Sequence, residues 1–304
     1  MTDQPDYQPY LAGAFRWRLA LRPLDLQHWI EFGDDYDHEM DAKKILFAQH
    51  PATVNANIPG SEDEAGEVLE NLVDFLISTR PDWFSREGNE IVNHHRHERL
   101  TVSPDSAGQW HEHPLIICGR LIQEDLALLV ERDGQLVFGA GSVAFPNRWD
   151  LTSKLGLTMS EVHAPVDRLN DELQDPIDSF FNRLKPEKSF WRTGWGVLET
   201  DDLYQPVDGT AATSPGYPNV GDPTAGDQLF LRVERETIRR FPRTKCVLFT
   251  IRTYVRPLSH LVDRPNDAHR LADALAYLPD DVRDYKRTTE LSEAAVHWLQ
   301  SVTS

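Results

Sequence analysis

His94, His95 and His97 fall together in NHHRHER, and His111 and His113 follow in QWHEHP. Neutral imidazole is the commonest protein metal ligand, so such a cluster could hold zinc or iron. Its neighbours are Arg96, Arg99 and other polar residues, with no obvious element to fix ligand geometry, and a solvated loop suits the stretch better. His163 has a different setting. It closes LGLTMSEVH just before Ala164-Pro165, and Leu155, Leu157, Met159 and Val162 line the segment with apolar side chains. An imidazole presented from a helix end into an apolar pocket is what axial ligation of a haem iron requires, although a satisfied core histidine has the same pattern. His28, His38, His50, His260, His269 and His297 stand alone and suggest no role. Gly139-Ala140-Gly141-Ser142 looks like part of a phosphate loop but lacks a following helix start and a lysine. There is no GxSxG, Walker loop, GxGxxG or HExxH.

The elements that must position these residues change period along the chain. Phe15, Trp17, Leu19 and Leu21 alternate with polar or small residues and predict a short strand. Pro23 and Asp25 read as a helix start, leading into a polar helix that ends near His50-Pro51. Val68, Leu69, Leu72, Val73 and Leu76 predict an amphipathic helix with an acidic first turn, stopped by Pro81. Two apolar runs joined by Asp133-Gly134 predict a β-hairpin. Helical signals follow in DLTSKLGLTMSEVH and in DPIDSFFNRLK, the latter begun by Asp175-Pro176. Three strand-like runs come next, SFWRTGWGVLE, DQLFLRVERET and KCVLFTIRTYVRPL. Between the first two, DGTAATSPGYPNVGDPTAGD reads as a surface excursion suited to a lid. The tail from Asn266 is helical.

Hairpin, helices, then three further strands, without βα alternation, indicate an α+β fold around an antiparallel sheet. Five strands interrupted by helices after the first hairpin match a PAS-like arrangement. The whole of 1–304 is expected to form a single domain, with helical extensions at about 22–100 and 266–300.

Composition narrows the classes of function. The 304 residues include 40% hydrophobic, enough for a sizeable core. Lys and Arg total 31 against 49 Asp and Glu, a formal charge of −18 that disfavours nucleic acid and anionic membrane. Two cysteines, Cys118 and Cys246, are too few for a disulfide framework or an iron–sulfur site. The start has no signal pattern and no stretch approaches a membrane span, so a cytoplasmic protein is expected.

Several blocks resemble the haem-dependent oxidative N-demethylase alpha-subunit family, long catalogued only as a domain of unknown function. They are LRPLDLQHWIEFGDDYDHEMDAKK, QEDLALLV, FPNRWDLTSKLGLTMSEVHAPVDRLN, WRTGWGVLETDDLY and FLRVERETIRRFPRTKCVLFTIRTYVRPL, in the family's order from roughly Phe15 to Leu258. The resemblance implies a PAS-like fold holding one haem b with a histidine as axial ligand. It implies NADPH-dependent oxidation of dimethylamine by dioxygen to methylamine and formaldehyde. Electrons would come from separate reductase subunits carrying FMN and a 2Fe-2S cluster. Residue by residue, the resemblance implies His163 as the axial ligand, Arg148 as a propionate partner, and Trp149 and Trp195 as borders of the haem.

On the strands, Arg232 and Glu234 share one face opposite Val233, and Arg252 and Tyr254 share a face opposite Ile251 and Thr253. A buried Glu is suited to hold a substrate ammonium and an Arg to polarise dioxygen, which makes Glu234, Arg232, Arg252 and Tyr254 the catalytic candidates. One departure stands out: Arg192-Thr193-Gly194-Trp195 has Gly194 where the family more often has Asn, which bears on the choice of amine. The alternatives are a non-catalytic haem-based PAS gas or redox sensor or haem-binding regulatory partner, and a haem-free structural partner.

Overall fold

Asp133 and Gly134 both take positive φ, 52° and 78°, and close a tight turn between β6 (Asp125–Arg132) and β7 (Gln135–Ser142). That is the turn geometry whose twist matches paired antiparallel strands, and the expected hairpin is present. The structure is a computed structural model that describes residues 6–13, 16–164, 168–207, 216, 218–279 and 289–303. The expected later strands are β8 (Ser189–Leu198), β9 (Phe230–Arg240) and β10 (Val247–Pro257), all antiparallel. β10 returns to pair with β6, so the hairpin joins the three late strands. Short strands β1 (Arg22–Leu24) and β2 (Asn55–Asn57) add the two edges. The result is a seven-stranded sheet in the order β1-β8-β9-β10-β6-β7-β2.

The two faces of this sheet are covered unequally. One face packs on α3 (Glu62–Thr79), whose Val68, Leu69, Leu72 and Leu76 meet Leu126, Leu128 and Leu248. The same face continues over β8 and β9, where Val197, Leu231 and Val233 meet α8 (Pro265–Ala276) and α9 (Thr289–Ser301). On the other face, α5 (Met159–His163) and α6 (Leu169–Arg183) cover Ala127, Leu129, Phe138, Ile238 and Val247. That cover stops short. From Trp191 to Gly196 every residue of β8 is only half-buried.

Several expectations need correction. Residues 16–21 form no strand and Phe15 lies outside the described residues. Strand β1 begins at Arg22, because 16–21 leave the sheet edge to pack Trp17, Leu19 and Leu21 on its surface. Asp25 caps only a single 3-10 turn, and the long helix α1 (Tyr36–Gln49) starts ten residues later. Helix α6 begins at Leu169 and carries Pro176 inside it, since Leu173, Ile177 and Phe181 need one continuous apolar stripe. Trp83 to Thr101, expected within a helical extension, instead holds a three-stranded sheet of β3 (Phe84–Glu87), β4 (Glu90–Asn93) and β5 (Glu98–Thr101). NHHRHER supplies the turn between β4 and β5. Of the supposed lid, 208–215 and 217 lie outside the described residues, and its far end forms helix α7 (Ala225–Gln228).

Close packing of α7 on α9 yields a direct test. A Cβ at Gly226 would lie 2.1 Å from Trp298 Cζ2. Trp298 is only 5% exposed and donates its indole N–H to the Pro223 carbonyl. Gly226→Ala should therefore lower the urea-unfolding free energy by about 1–3 kcal/mol. An unchanged midpoint would show that α9 yields freely.

Candidate functional site

The position of His163 is set by the edge of the sheet. Phe138 N–H donates to the Leu157 carbonyl at 2.8 Å, and Gly156 N–H donates back to the Phe138 carbonyl at 2.9 Å. Thr158 then starts α5 with a reciprocal capping box, its hydroxyl receiving Glu161 N–H while Glu161 takes the Thr158 N–H. Five residues on, Leu155, Met159 and Val162 have packed onto the sheet and the helix ends at His163. Burial, then the Arg192 guanidinium, depress the His163 pKa to about 4, so the imidazole is neutral. Its Nδ1 is shut off from solvent and makes no well-aligned hydrogen bond. The Met159 backbone, one turn back, pulls weakly towards protonation.

The uncovered half of that face forms a floor of alternating charge. Arg192 Nε donates to Glu236 Oε2 at 2.8 Å, directly across the β8–β9 ladder. Arg232 Nε donates to Glu234 Oε1 at 2.8 Å along β9. Between them β8 presents two glycines, since Gly194 pairs with Glu234 and Gly196 with Arg232. A Cβ at Gly196 would meet nothing within 4 Å, and one at Gly194 only the Glu236 and Glu234 carboxylates at 3.4 and 4.0 Å. The floor is open where a side chain would normally fill it.

Arg232 anchors this floor from below. Only 1% exposed, it donates to the Phe145 carbonyl at 2.6 Å, the Leu203 carbonyl at 3.1 Å and the Thr253 hydroxyl at 3.3 Å, besides Glu234. It thereby pins the chain leaving β7 to the chain leaving β8. Arg148, in the left-handed region at φ 60°, lies on that first connection and holds Glu199 at 2.5 Å. Trp149 packs half-buried with its ring edge against Phe138 at 6.4 Å.

Alternation separates the sequence-derived residues into two groups. His163, Arg148, Trp149, Arg232 and Glu234 belong to the half-covered side. Arg252, Tyr254 and Trp195 belong to the packed side, and the structure does not bring them to His163. Arg252, fully buried, donates to Glu39 at 2.6 Å and Asp35 at 2.8 Å from α1. Burial lifts the Glu39 carboxyl to about 7 despite that guanidinium. Tyr254 donates to Glu31 at 2.6 Å, and Trp195 packs edge-on against Tyr10.

Three of the five clustered histidines have structural partners. His95 stacks on Trp83 at 4.1 Å and bonds Asp37, His94 meets Ser85, and His113 caps α4 (Pro114–Gly119). Among the described residues, no group of three or more His, Cys, Asp or Glu side chains could hold a metal ion. Sequence reasoning missed Arg192, Glu236 and Gly196. Two glycines at alternate positions of a strand were the available signal.

With this geometry in hand, the family comparison has structural content. The model of a family described as haem-dependent oxidative N-demethylase, alpha subunit-like, matches residues 20–296, which spans every element of the site. Among the described residues, no helix is long and apolar enough to cross a membrane.

Burial of a neutral imidazole makes the chain acid-sensitive. The folded His163 value of about 4 lies below its ordinary 6.5, so its contribution is complete above 6.5 and lost as pH falls through 4. Relative to His163→Gln, the haem-free parent should lose about 2–3 kcal/mol of unfolding free energy between pH 7 and pH 4. A constant difference between the two proteins would mean that the ring is solvated.

Proposed function

The chain belongs to the haem-dependent oxidative N-demethylase, alpha subunit-like family, and we propose that it is the haem-carrying subunit of an enzyme that oxidatively removes a methyl group from a small amine. The observation that carries this reading is His163: neutral, half-buried, its Nδ1 shut off from solvent without a well-aligned partner, on the same sheet face as an unfilled glycine strip. The residues present fit haem b. His163 has a lone pair for axial ligation, Gly194 and Gly196 leave room for a flat macrocycle, and Trp149 supplies an apolar edge. Arg192, one-third exposed and on the same strand face as the two glycines, is the better propionate partner than the less exposed Arg148. The order β8-β9-β10-β6-β7 supports the PAS-like reading of the central five strands.

Bound there, haem supplies oxygen activation and one-electron chemistry. The chain's own residues do the rest. His163 would hold the iron, and the Met159 backbone, one turn back, is the nearby acceptor that would orient its ring. Glu234, 24% exposed, turns one carboxylate oxygen to Arg232 and keeps the other for a substrate N–H. Each floor carboxylate already has a guanidinium, so the floor is close to neutral and holds a small amine by hydrogen bonds and fit more than by net charge. An amine that arrives protonated finds in that Glu234 oxygen an acceptor for its N–H.

Electrons must come from outside. Cys118 and Cys246 are both buried, and two thiols cannot hold an iron–sulfur cluster. The family describes an alpha subunit, and the natural donor is a separate flavin and iron–sulfur reductase using NADPH. Dioxygen and a dimethylamine-like substrate complete the reaction, with formaldehyde and the lower amine as products.

Haem reconstitution tests the reading. The parent should show an intense Soret band, His163→Ala should lose or shift it, and Gly196→Leu should fold normally but take up at least tenfold less haem. With a reductase and NADPH, dimethylamine should give formaldehyde. Haem binding without turnover of any methylamine would favour the sensor, and a colourless parent would end the haem reading.

A further inference from the structure

Behind the glycine strip, on the packed face of the same strands, lies an aromatic cluster built around one carboxylate. Trp191 and Trp195 project from β8 on the side opposite Arg192, Gly194 and Gly196. The Trp191 ring lies 5.8 Å from Tyr7, and Tyr7 lies 5.7 Å from Tyr254. Both phenols donate to Glu31: Tyr7 to Oε1 at 2.5 Å and Tyr254 to Oε2 at 2.6 Å. Arg235 Nε approaches the same carboxylate at 3.3 Å, so Glu31 faces two phenols and a guanidinium. Burial foremost, with Glu31 adding to it, raises both phenol pKa values, so both hydroxyls keep their protons.

Charge gives this cluster a direction. Two guanidiniums stand over the Trp191 ring, Arg22 at 5.2 Å and Arg235 at 5.7 Å. A cationic indole radical between two cations is disfavoured, so oxidation that reaches Trp191 does not rest there. A tyrosine can lose its proton along a formed hydrogen bond as it loses an electron, and so acquires no net charge. Tyr7 and Tyr254 are therefore the resting places. Both line a small surface cleft of about 10 Å³, room for a single water, with Asp6, Arg256 and His260.

We propose that Tyr7, Tyr254 and Glu31, reached through Trp191, form a proton-coupled redox relay that drains single oxidising equivalents from the haem site to this cleft. The proposal rests on the haem reading above. The oxidant is the one-electron oxidant that a peroxide generates at bound haem. It takes one electron from a phenol; the phenol O–H bond breaks, its proton passes to Glu31, and a neutral phenoxyl and a carboxylic acid remain. A thiol or ascorbate-class reductant at the protein surface over the cleft returns the electron, and Glu31 returns the proton. The relay protects the protein when oxidant forms without substrate.

The test is rapid-freeze electron paramagnetic resonance of the haem-loaded chain mixed with hydrogen peroxide, with the Soret band recorded on the same samples. The parent should show a tyrosyl signal. Tyr7→Phe/Tyr254→Phe should keep its Soret band and melting temperature while losing at least tenfold of that signal. Glu31→Gln, which keeps an acceptor but removes the base, should also lower the yield. An equal tyrosyl signal in the double variant, or none in a haem-replete parent, overturns the relay. If no haem binds, the preceding reading falls and the relay is judged on the iron-free chain. There, azide radical generated by radiolysis should move oxidation from tryptophan to tyrosine in the parent and not in the double variant; equal transfer in both overturns it.

Discussion

A guanidinium buried to 1% exposure must have its donors satisfied, and Arg232 dictates much of what surrounds it. Its charge is balanced by Glu234 and its remaining N–H groups reach two backbone carbonyls and the Thr253 hydroxyl. One of those carbonyls belongs to Phe145, whose amide, with that of Ala144, donates to the buried Asp125. Asp125 in turn lies 3.7 Å from Lys43, a fully buried lysine of α1 that donates to the Ile122 and Glu124 carbonyls. Breaking one partner of such a chain leaves an uncompensated charge in the interior, which typically costs about 3–5 kcal/mol. The floor of the candidate site is thus tied through alternating charges to a helix on the far side of the sheet.

The sheet divides two kinds of work between its faces. The packed face carries the large cores and a second set of buried ions around Arg252 and Arg235. The other face is roofed only where α5 and α6 reach, and the pleat of β8 exploits the difference. Its tryptophans face the packed side while an arginine and two glycines face the open one. The net charge of −18 adds a weak, salt-sensitive bias towards cations at a distance, whereas contact with the floor is decided by paired groups.

Much of this was legible before the structure. The Asp133-Gly134 turn, the stripe of α3, the three late strands and the helical tail follow from local pattern alone. So did the face assignments within each strand, Arg232 with Glu234 and Arg252 with Tyr254. What period 2 cannot give is which face of one strand adjoins which face of the next element, and that is where Arg252, Tyr254 and Trp195 parted from His163. The three-stranded sheet hid because β3 and β5 are short and charged, FSRE and ERLT, with little apolar alternation. Pro176 misled for a related reason: the apolar stripe of α6 outweighs one missing backbone donor. Gly194 was noticed as a departure from a family pattern, but the value of Gly196 appears only when the space above it is known.

Strand order also has a consequence for how the molecule is made. β6 finds its second partner in β10, with Leu126 opposite Thr250 and Val247 opposite Leu129, so the ribosome must synthesise on the order of a hundred further residues before that ladder can close. Until then the early hairpin carries a bare edge of leucine and valine, the kind of edge that recruits other chains. Asp125 and Arg132 bracket that edge with charge, and α3, already translated, can shelter its apolar side. Synthesis speed and chaperone access should therefore govern the yield of native protein more than the stability of the finished sheet does.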